Sequence, residues 1–293
     1  MNTSNKDIKL VIPHWQGGNN PAYFLRAKLL ECLAPESDMP VFHVPVDEAD
    51  GPLPIENGIK GRSAITEQAT ATKEIIQKEA PDRIVTLGGD CLVSLTPFSY
   101  LSEKYGDKLG VLWIDAHPDV QNPEQFSHSH AHVLGLLLGQ GDSELLKYVS
   151  KAIPSDNVMI AGVHSMLPHE QSFVDQHGIA TCSPEQIKSG TAPIREWIET
   201  QGIEYLAIHF DLDVLDSQYF RSVLFALPER TEDEFGGVAE GKLKIEDVVA
   251  LLKNATETTE AVGLTIAEHL PWDAINLKAM LEELPLIGNQ KSS

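Results

Sequence analysis

The 293-residue sequence is poor in basic side chains. It contains 22 lysines and arginines against 43 aspartates and glutamates, which gives a formal net charge of -21 at pH 7. A surface with this excess of negative charge repels phosphate backbones and anionic lipids. The composition therefore predicts neither a nucleic-acid partner nor a membrane partner, and it suits cationic ligands and metal ions.

Cysteine and long apolar runs are also scarce. The three cysteines, Cys32, Cys91 and Cys182, are odd in number and lack the spacing of a metal clip, which favours a reducing compartment over a disulfide framework. No stretch of about 18 uncharged apolar residues occurs, and the apolar run near the N-terminus is far too short for the core of a signal peptide. We expect a soluble, cytoplasmic protein.

Apolar segments that are typical of strands alternate with helical patterns along the chain. Strands are predicted at 9–13, 41–44, 83–87, from 111, and at 158–163, 179–182, 205–210 and 261–266; helices are predicted at 21–32, 63–78, 92–105, 131–139, 142–149, from 183, and at 193–200, 245–252 and 273–284. This alternation predicts an α/β fold with a parallel sheet of roughly eight strands and helices on both faces. Because no linker rich in Gly, Ser or Pro divides these elements, we expect one domain over residues 1–293.

Two of the predicted strands run directly into clustered acids. The segment VLWIDAHPD contains Asp115, His117 and Asp119, and the segment IHFDLDVLD contains Asp211 and Asp213. The carboxyl ends of strands form the ligand crevice of an open α/β sheet, and strand residues two apart point to one face. A single acidic strand end is also explained by capping of the next helix. Two such clusters near a sheet interior would cost several kcal/mol per unpaired ion, so together they predict a divalent metal site.

A third strand ends in Gly88-Gly89-Asp90-Cys91. Glycines at a strand-to-helix junction allow a positive φ and a close approach of the backbone, which a metal crevice often requires. Taken alone, the same residues would indicate only a generic turn.

These motifs, taken together with Asp216 and Glu268, resemble in order and spacing the four motifs of the arginase superfamily, the ureohydrolases, over roughly Ile84 to Pro271. The superfamily includes arginase, agmatinase and formimidoylglutamase. The resemblance implies a three-layer α/β/α domain, a binuclear manganese centre with two Mn²⁺ per chain, and a homo-oligomer, either a trimer or a hexamer.

The resemblance also implies roles for individual residues. It makes Asp115 and Asp211 the carboxylates that bridge both ions, His117 and Asp213 the remaining ligands of one ion, and Asp119 and Cys91 those of the other. Glu268 corresponds to the acid that faces the guanidinium of the substrate, and His130 to the histidine that transfers a proton. The catalytic set is then His130, Glu268 and Asp119.

The chemistry of a guanidinium agrees with these roles. Its central carbon is resonance-stabilised, so attack needs a strong nucleophile, which a water bridging two divalent ions supplies as hydroxide. Oxygen-rich coordination suits manganese, while zinc and iron stay open. The amine leaving group must be protonated, a task for a histidine of near-neutral pKa, and a carboxylate such as Glu268 can bind the planar cation by paired hydrogen bonds.

Cys91 departs from the family pattern, because most members have histidine at that position. A thiolate binds manganese poorly and zinc or iron well, so this metal position is expected to be weak, differently loaded or empty. The alternative is a buried cysteine that acts as a small hydrophobic residue.

The segments that surround the motifs do not identify the substrate. His128, His130 and His132 alternate, and Ala131 followed by an apolar run favours His130 as the proton shuttle. A solvated polar loop explains His128 and His132 equally well. By resemblance to arginine-specific members, Gln121 and His128 are candidate contacts for a substrate α-carboxylate.

Arginases have acids after the next strand that bind the substrate α-ammonium group, where this chain has Ser165 and Leu167, with Glu170 the nearest acid. Arginine is therefore not assured as the substrate. The long segment 217–241 is expected to shape the substrate mouth; the alternative is a mobile surface loop.

The leading hypothesis is a manganese-dependent hydrolase of a guanidino or formimino C–N bond, acting on a small cationic guanidino substrate. The alternatives are a binuclear-metal hydrolase of another amide or amidine substrate, and a non-catalytic arginase-like binding or regulatory protein.

Overall fold

A sheet of eight parallel strands runs through the computed structural model, which describes residues 6–231, 234–275 and 280. The strands are β1 Asp7–Ile12, β2 Val41–His43, β3 Ile55–Glu56, β4 Ile59–Lys60, β5 Arg83–Gly88, β6 Leu109–Ile114, β7 Val158–Ala161, β8 Ala180–Cys182, β9 Tyr205–Asp211 and β10 Glu260–Ala267. The sheet order is β2-β1-β5-β10-β9-β6-β7-β8, and β3 pairs with β4 in a separate antiparallel hairpin.

Helices cover both faces of this sheet. They are α1 Ala22–Leu33, α2 Arg62–Glu79, α3 Leu95–Tyr105, α4 Val133–Leu137, α5 Pro168–His177, α6 Pro184–Ser189, α7 Ala192–Gln201 and α8 Ile245–Ala255. Trp113 of β6 packs in one core with residues of α2 to α5, whereas its neighbour Leu112 packs in a second core with residues of α6 to α8. Alternate strand residues thus serve the two cores, and the three-layer α/β/α fold is confirmed.

The order of the strands in the sheet determines where the site lies. β5, β10, β9 and β6 are adjacent in the middle of the sheet, in parallel register, although they lie far apart in the chain. All six residues of β6 are buried, as expected for a central strand that is covered on both faces. The four segments that follow these strands therefore emerge side by side at one edge.

Two elements escaped the sequence-based prediction. α5 has only Phe173 and Val174 as apolar residues within its ten, so no apolar stripe marks it, although Pro168 at its first position is a helix-start signal. The β3–β4 hairpin turns at Asn57-Gly58, where both residues have positive φ, and this dipeptide is a strong hairpin signal.

Other predicted elements are shorter in the structure, or lie outside it. The helices expected at 131–139 and 142–149 include the 3-10 turns Ser129–His132 and Leu145–Tyr148. The final helix expected at 273–284 lies mostly outside the described residues. That residues 1–293 form a single domain stays a prediction. Within 6–231, 234–275 and 280, no helix has both the length and the apolar character needed to cross a bilayer.

Gly89 shows why the Gly-Gly turn is needed. A Cβ on Gly89 would lie 1.7 Å from the carbonyl oxygen of His14, and the Gly89 carbonyl accepts a 2.8 Å hydrogen bond from the Glu268 amide. The expected positive φ is wrong, since neither Gly88 nor Gly89 is among the residues that adopt it. The glycine serves the close approach of three chain segments under the site.

Replacing Gly89 with alanine is expected to lower the free energy of unfolding by about 3 kcal/mol or more, because the added methyl group overlaps backbone that cannot move independently of β1. Urea denaturation of the two proteins measures the difference. Gly51→Ala is the matched control, since a Cβ at Gly51 meets nothing within 4 Å. Equal stability of Gly89→Ala and the wild-type protein would show that the backbone contact is absent in solution.

Candidate metal centre

Four buried side chains follow the four central strands. Asp115 follows β6, Asp211 ends β9, Cys91 lies in the turn after β5, and Glu268 follows β10 directly. All four are at most 5% exposed. The segments that were expected to converge therefore do meet at the carboxyl edge of the sheet.

Potential ligand atoms form two groups that share Asp115. One group contains Asp115, His117 and Asp213, and the other contains Cys91, Asp115, His209 and Asp211; within each group the atoms lie within 4.8 Å of one another. A carboxylate common to two groups is placed to bridge two ions. His209 was not among the residues expected here, although its position two residues before Asp211 on β9 puts both on one face of the strand.

Tight turns hold the leading carboxylate of each acidic motif. The amide of His117 donates a 2.7 Å hydrogen bond to Asp115 Oδ1, and the amide of Asp213 donates a 2.7 Å hydrogen bond to Asp211 Oδ1. Asp213 lies in the 3-10 turn Leu212–Val214 rather than on the strand. The expectation that strand alternation aligns Asp211 with Asp213 is wrong, because β9 ends at Asp211 and the turn brings the two together.

A backbone carbonyl orients His117. The carbonyl of Ala239 can only accept, so His117 Nε2 donates the 2.9 Å hydrogen bond between them. The other ring nitrogen, Nδ1, lies 3.3 Å from Asp115 Oδ1 and 3.2 Å from Asp213 Oδ2. A metal-bound histidine characteristically donates a hydrogen bond to a carbonyl from the N–H of its second ring nitrogen.

Among the described residues, two fully buried carboxylate oxygens of the site have no hydrogen-bond partner. They are Asp119 Oδ2 and Asp213 Oδ1, and both residues are buried. Asp119 also adopts a left-handed backbone conformation with φ of 51°, which is strained for a residue with a side chain and is typical of functional sites. Buried, unpaired carboxylate oxygens are costly, so the donor set fits divalent cations.

Burial and crowding raise the pKa values of the carboxyl groups in the site. Burial raises the pKa of Asp211 well above its usual value, and repulsion from Asp213 and Asp115 raises it further. Burial and then repulsion from Asp115 likewise raise the pKa of Asp119. Burial also raises the pKa of Glu268. Without cations, this cluster resists full ionisation.

The negative charge of the acids raises the pKa of both His117 and Cys91, which favours a charged imidazolium but a neutral thiol. Burial alone would lower the pKa of His117, but the attraction of Asp213 and Asp115 outweighs it and raises the pKa well above the ordinary value. Burial raises the pKa of Cys91, and repulsion from Asp211 raises it further. In the metal-free centre Cys91 is therefore a thiol, and its Sγ donates to Asp211 Oδ2 over 2.9 Å.

The three alternating histidines, His128, His130 and His132, have different surroundings. His130 donates from Nδ1 to the Gly17 carbonyl over 3.1 Å and lines the cavity above the acids, so its Nε2 is available. His128 also lines this cavity, and burial lowers its pKa to about 4. His132 is buried outside the cavity lining and donates to the Phe126 carbonyl over 2.8 Å.

The carboxylate of Glu170, for which the sequence predicted no role, holds the side chain of Gln121. The side-chain amide of Gln121 donates to Glu170 Oε1 over 2.7 Å, and Glu170 Oε2 accepts from the Leu167 amide over 2.8 Å. Glu170 therefore links Gln121 to the first turn of α5, and both residues line the cavity.

The cavity above the acids has a volume of about 560 Å³. Segment 217–241 contributes Leu224, Phe225, Phe235 and Val238 to its wall, as the expected mouth. Among the described residues that line the cavity, none is a lysine or an arginine. The cavity thus has an acidic floor and a largely apolar outer wall.

Comparisons with known proteins agree with this arrangement. The sequence profile described as the arginase family matches residues 21–227. An arginase of Staphylococcus aureus (strain MRSA252) is 28% identical over 170 residues, which are 55% of this chain and 56% of that protein, and an arginase of Entamoeba histolytica is 27% identical over 171 residues, 55% and 58% of the two chains. The chain thus spans somewhat more than half the length of these relatives.

Solved structures show the same fold. The crystal structure of Entamoeba histolytica arginase in complex with L-ornithine has a TM-score of 0.72 at 18% identity, covering 92% of this chain and 93% of that one. Formimidoylglutamase of Bacillus subtilis has a TM-score of 0.67 at 15% identity, covering 92% and 80%.

Asp211→Asn is expected to stabilise the metal-free protein increasingly as the pH rises. A folded-state pKa above the unfolded value of 3.8 means that the folded protein holds the extra proton, so the unfolding free energy of the wild-type protein falls between the two pKa values. In that window the advantage of the variant grows by at most about 1.4 kcal/mol per pH unit.

Urea denaturation with a chelator, from about pH 5 to pH 8, measures this difference. Asp216→Asn, which alters a carboxylate outside both ligand groups, is the control and is expected to show no such trend. An advantage of Asp211→Asn that is flat or shrinks with pH would contradict the raised pKa.

Proposed function

The chain belongs to the arginase family, and from this premise we propose that it is a metal-dependent hydrolase that cleaves a guanidino or formimino C–N bond of a small cationic substrate. The observation that carries the proposal is the pair of ligand groups that share Asp115 beneath a cavity of about 560 Å³. A protein that only bound a ligand would have no physical need for so many buried, mutually repelling acids.

The proposed cofactor is a pair of divalent ions per chain, with Mn²⁺ as the expected ion. By the family resemblance, Asp115 and Asp211 would be shared by both ions, His117 and Asp213 would complete one position, and Asp119 and Cys91 would contribute to the other. In the structure Asp115 belongs to both ligand groups, whereas Asp211 belongs only to the group of Cys91 and Asp119 to neither. Bound divalent ions would supply a water nucleophile that is active at neutral pH. Carboxylate-rich donors are those that suit manganese.

Glu268 is proposed to hold the guanidinium. It is buried at the cavity floor, its backbone is fixed by the hydrogen bond to the Gly89 carbonyl, and its φ of 60° turns the chain sharply after β10. A planar cation can donate two parallel hydrogen bonds to such a carboxylate. The cation would favour the charged form of Glu268, which burial alone disfavours.

His130 and Asp119 are proposed to handle the protons. The Gly17 carbonyl fixes the orientation of His130, which lines the cavity, and Nε2, which takes no part in that hydrogen bond, can protonate the departing amine. No donor of the described residues reaches Asp119 Oδ2, so one oxygen of this carboxylate can bind an ion while the other accepts a hydrogen bond from the attacking water. The two residues thus divide proton donation and water orientation between them.

Gln121 and His128 are proposed to contact the outer part of the substrate. Gln121 gives one amide hydrogen to Glu170, which leaves its carbonyl oxygen and a second hydrogen for a ligand. Because Ser165 and Leu167 line the cavity where an acid would bind an α-ammonium group, arginine is one candidate among several guanidino compounds. A cytoplasmic homo-oligomer, trimeric or hexameric, completes the proposal.

Protein incubated with Mn²⁺ and then freed of excess metal by gel filtration is expected to hold about two divalent ions per chain, at least one of them Mn²⁺, and to release urea or a related amide from at least one guanidino or formimino compound. Asp213→Ala removes a carboxylate of one ligand group and is expected to lower kcat/KM by more than about 100-fold, because even outer-shell losses cost 10- to 100-fold. Metal analysis and product assays across a substrate panel provide the measurements.

The control for Asp213→Ala is Asp175→Asn, an exposed change on α5. Turnover that is unchanged in Asp213→Ala would show that the proposed ligand set is wrong.

His130→Asn is expected to lower kcat by about 100-fold or more while KM changes little, because the imidazole acts on the leaving group rather than on binding. His43→Asn, at an exposed position of β2, is the control. A kcat within a factor of about two of wild type would exclude His130 as the proton donor.

A further inference from the structure

His209 is a buried imidazole that the proposed reaction does not use. It lies on β9, is fully buried, and stacks on Trp113 of β6 with ring centroids 3.6 Å apart and an interplanar angle of 6°. Trp113 in turn donates from its indole nitrogen to Asp115 Oδ2 over 3.0 Å. The stack therefore fixes the His209 ring beside the carboxylate that both ligand groups share.

The two ring nitrogens of His209 have different surroundings. Nδ1 lies 2.8 Å from Ser94 Oγ, whereas Nε2 has no hydrogen-bond partner in the described part of the chain and lies 4.0 Å from Asp115 Oδ2. That separation is too long for a hydrogen bond, and it is about 0.7 Å longer than the spacing of about 3.3 Å between two tetrahedral ligands that each lie about 2 Å from one ion. In the tautomer whose Nδ1–H donates to Ser94 Oγ, the lone pair of Nε2 faces the site.

Cys91 brings a thiol to the same place. Its Sγ is 2.9 Å from Asp211 Oδ2, and the ligand atoms of Cys91, Asp115, His209 and Asp211 all lie within 4.8 Å of one another. One sulfur, one imidazole nitrogen and two carboxylate oxygens are the donor types of a four-coordinate zinc site. Manganese prefers oxygen donors and gains little from a thiolate.

We propose that this position of the centre takes a thiolate-binding ion of the Zn²⁺ or Fe²⁺ class, held by Cys91, His209, Asp115 and Asp211, while the oxygen-rich group around His117 takes Mn²⁺. The centre is then heterobinuclear. This inference rests on the proposed function, since it refines the metal content of the same site. His209 supplies the imidazole that Cys91 lacks.

The wild-type protein tests the ligand set without any substitution. Metal-free, reduced protein that receives one equivalent of Co²⁺ under anaerobic conditions is expected to develop an intense thiolate-to-cobalt absorption band, which Zn²⁺ abolishes and Mn²⁺ does not. X-ray absorption of the Zn²⁺-loaded protein is expected to show one sulfur at about 2.3 Å together with imidazole scattering. The absence of either the sulfur or the imidazole overturns the proposal.

Variants assign the donors. Cys91→Ser is expected to remove the absorption band, and His209→Gln to weaken Zn²⁺ binding by more than about 100-fold, because a lost ligand exceeds the 10- to 100-fold effect of a lost outer-shell partner. Cys91→His is expected to shift the preference of the position toward Mn²⁺. Cys182→Ser removes the other buried free thiol, in β8, and is expected to leave the spectrum unchanged.

Zn²⁺ affinity of His209→Gln within a factor of about two of wild type would make His209 a structural core residue and overturn the proposal. If that variant fails to fold, the imidazole scattering of the wild-type protein decides the same question.

Activity separates this inference from the function on which it rests. Turnover by protein that holds two Mn²⁺ and shows no metal–sulfur bond would overturn the heterobinuclear centre and keep the hydrolase. A sulfur-bound Zn²⁺ with imidazole scattering, in protein that hydrolyses no guanidino or formimino compound, would support the metal site and overturn the hydrolase.

Discussion

Repulsion among buried carboxylates is the constraint on which the site depends. Asp115, Asp119, Asp211 and Asp213 lie at the carboxyl edge of two neighbouring strands, with little exposure to water to screen them. Polypeptide alone satisfies only part of this set, through turn amides and one indole N–H. The remaining oxygens, together with His117 Nδ1, form the sites at which divalent cations would replace repulsion by attraction.

Sequence reasoning succeeded where the determining physics is local. Buried parallel strands are continuous apolar runs, so the central strands of the sheet were visible in the sequence, and motifs that directly follow such runs fall at one edge of a parallel sheet. The sequence alone therefore predicts that Asp115, Asp211 and Glu268 lie together. The order of the motifs then indicated the family, which the profile match supports independently.

Features that depend on packing across the chain were not accessible in this way. His209 reads as one residue of an apolar strand, and only the pairing of β9 with β6 brings its ring onto Trp113 and its Nε2 toward Asp115. The hydrogen bond between Glu170 and Gln121 joins the first turn of α5 to the loop after Asp119, and the orientation of His117 depends on a carbonyl from a segment more than a hundred residues away. Periodicity carries no information on such contacts.

The hydrogen bond from His117 to Ala239 connects the wall of the cavity with the acids at its floor. Ala239 belongs to the segment 217–241 that walls the cavity, whereas His117 faces the acids at its floor. Any excursion of that wall large enough to withdraw the carbonyl would release the imidazole from its fixed orientation. Entry of a bulky ligand past this wall and retention of a divalent ion at His117 would thereby be coupled, because both would depend on the position of the Ala239 carbonyl.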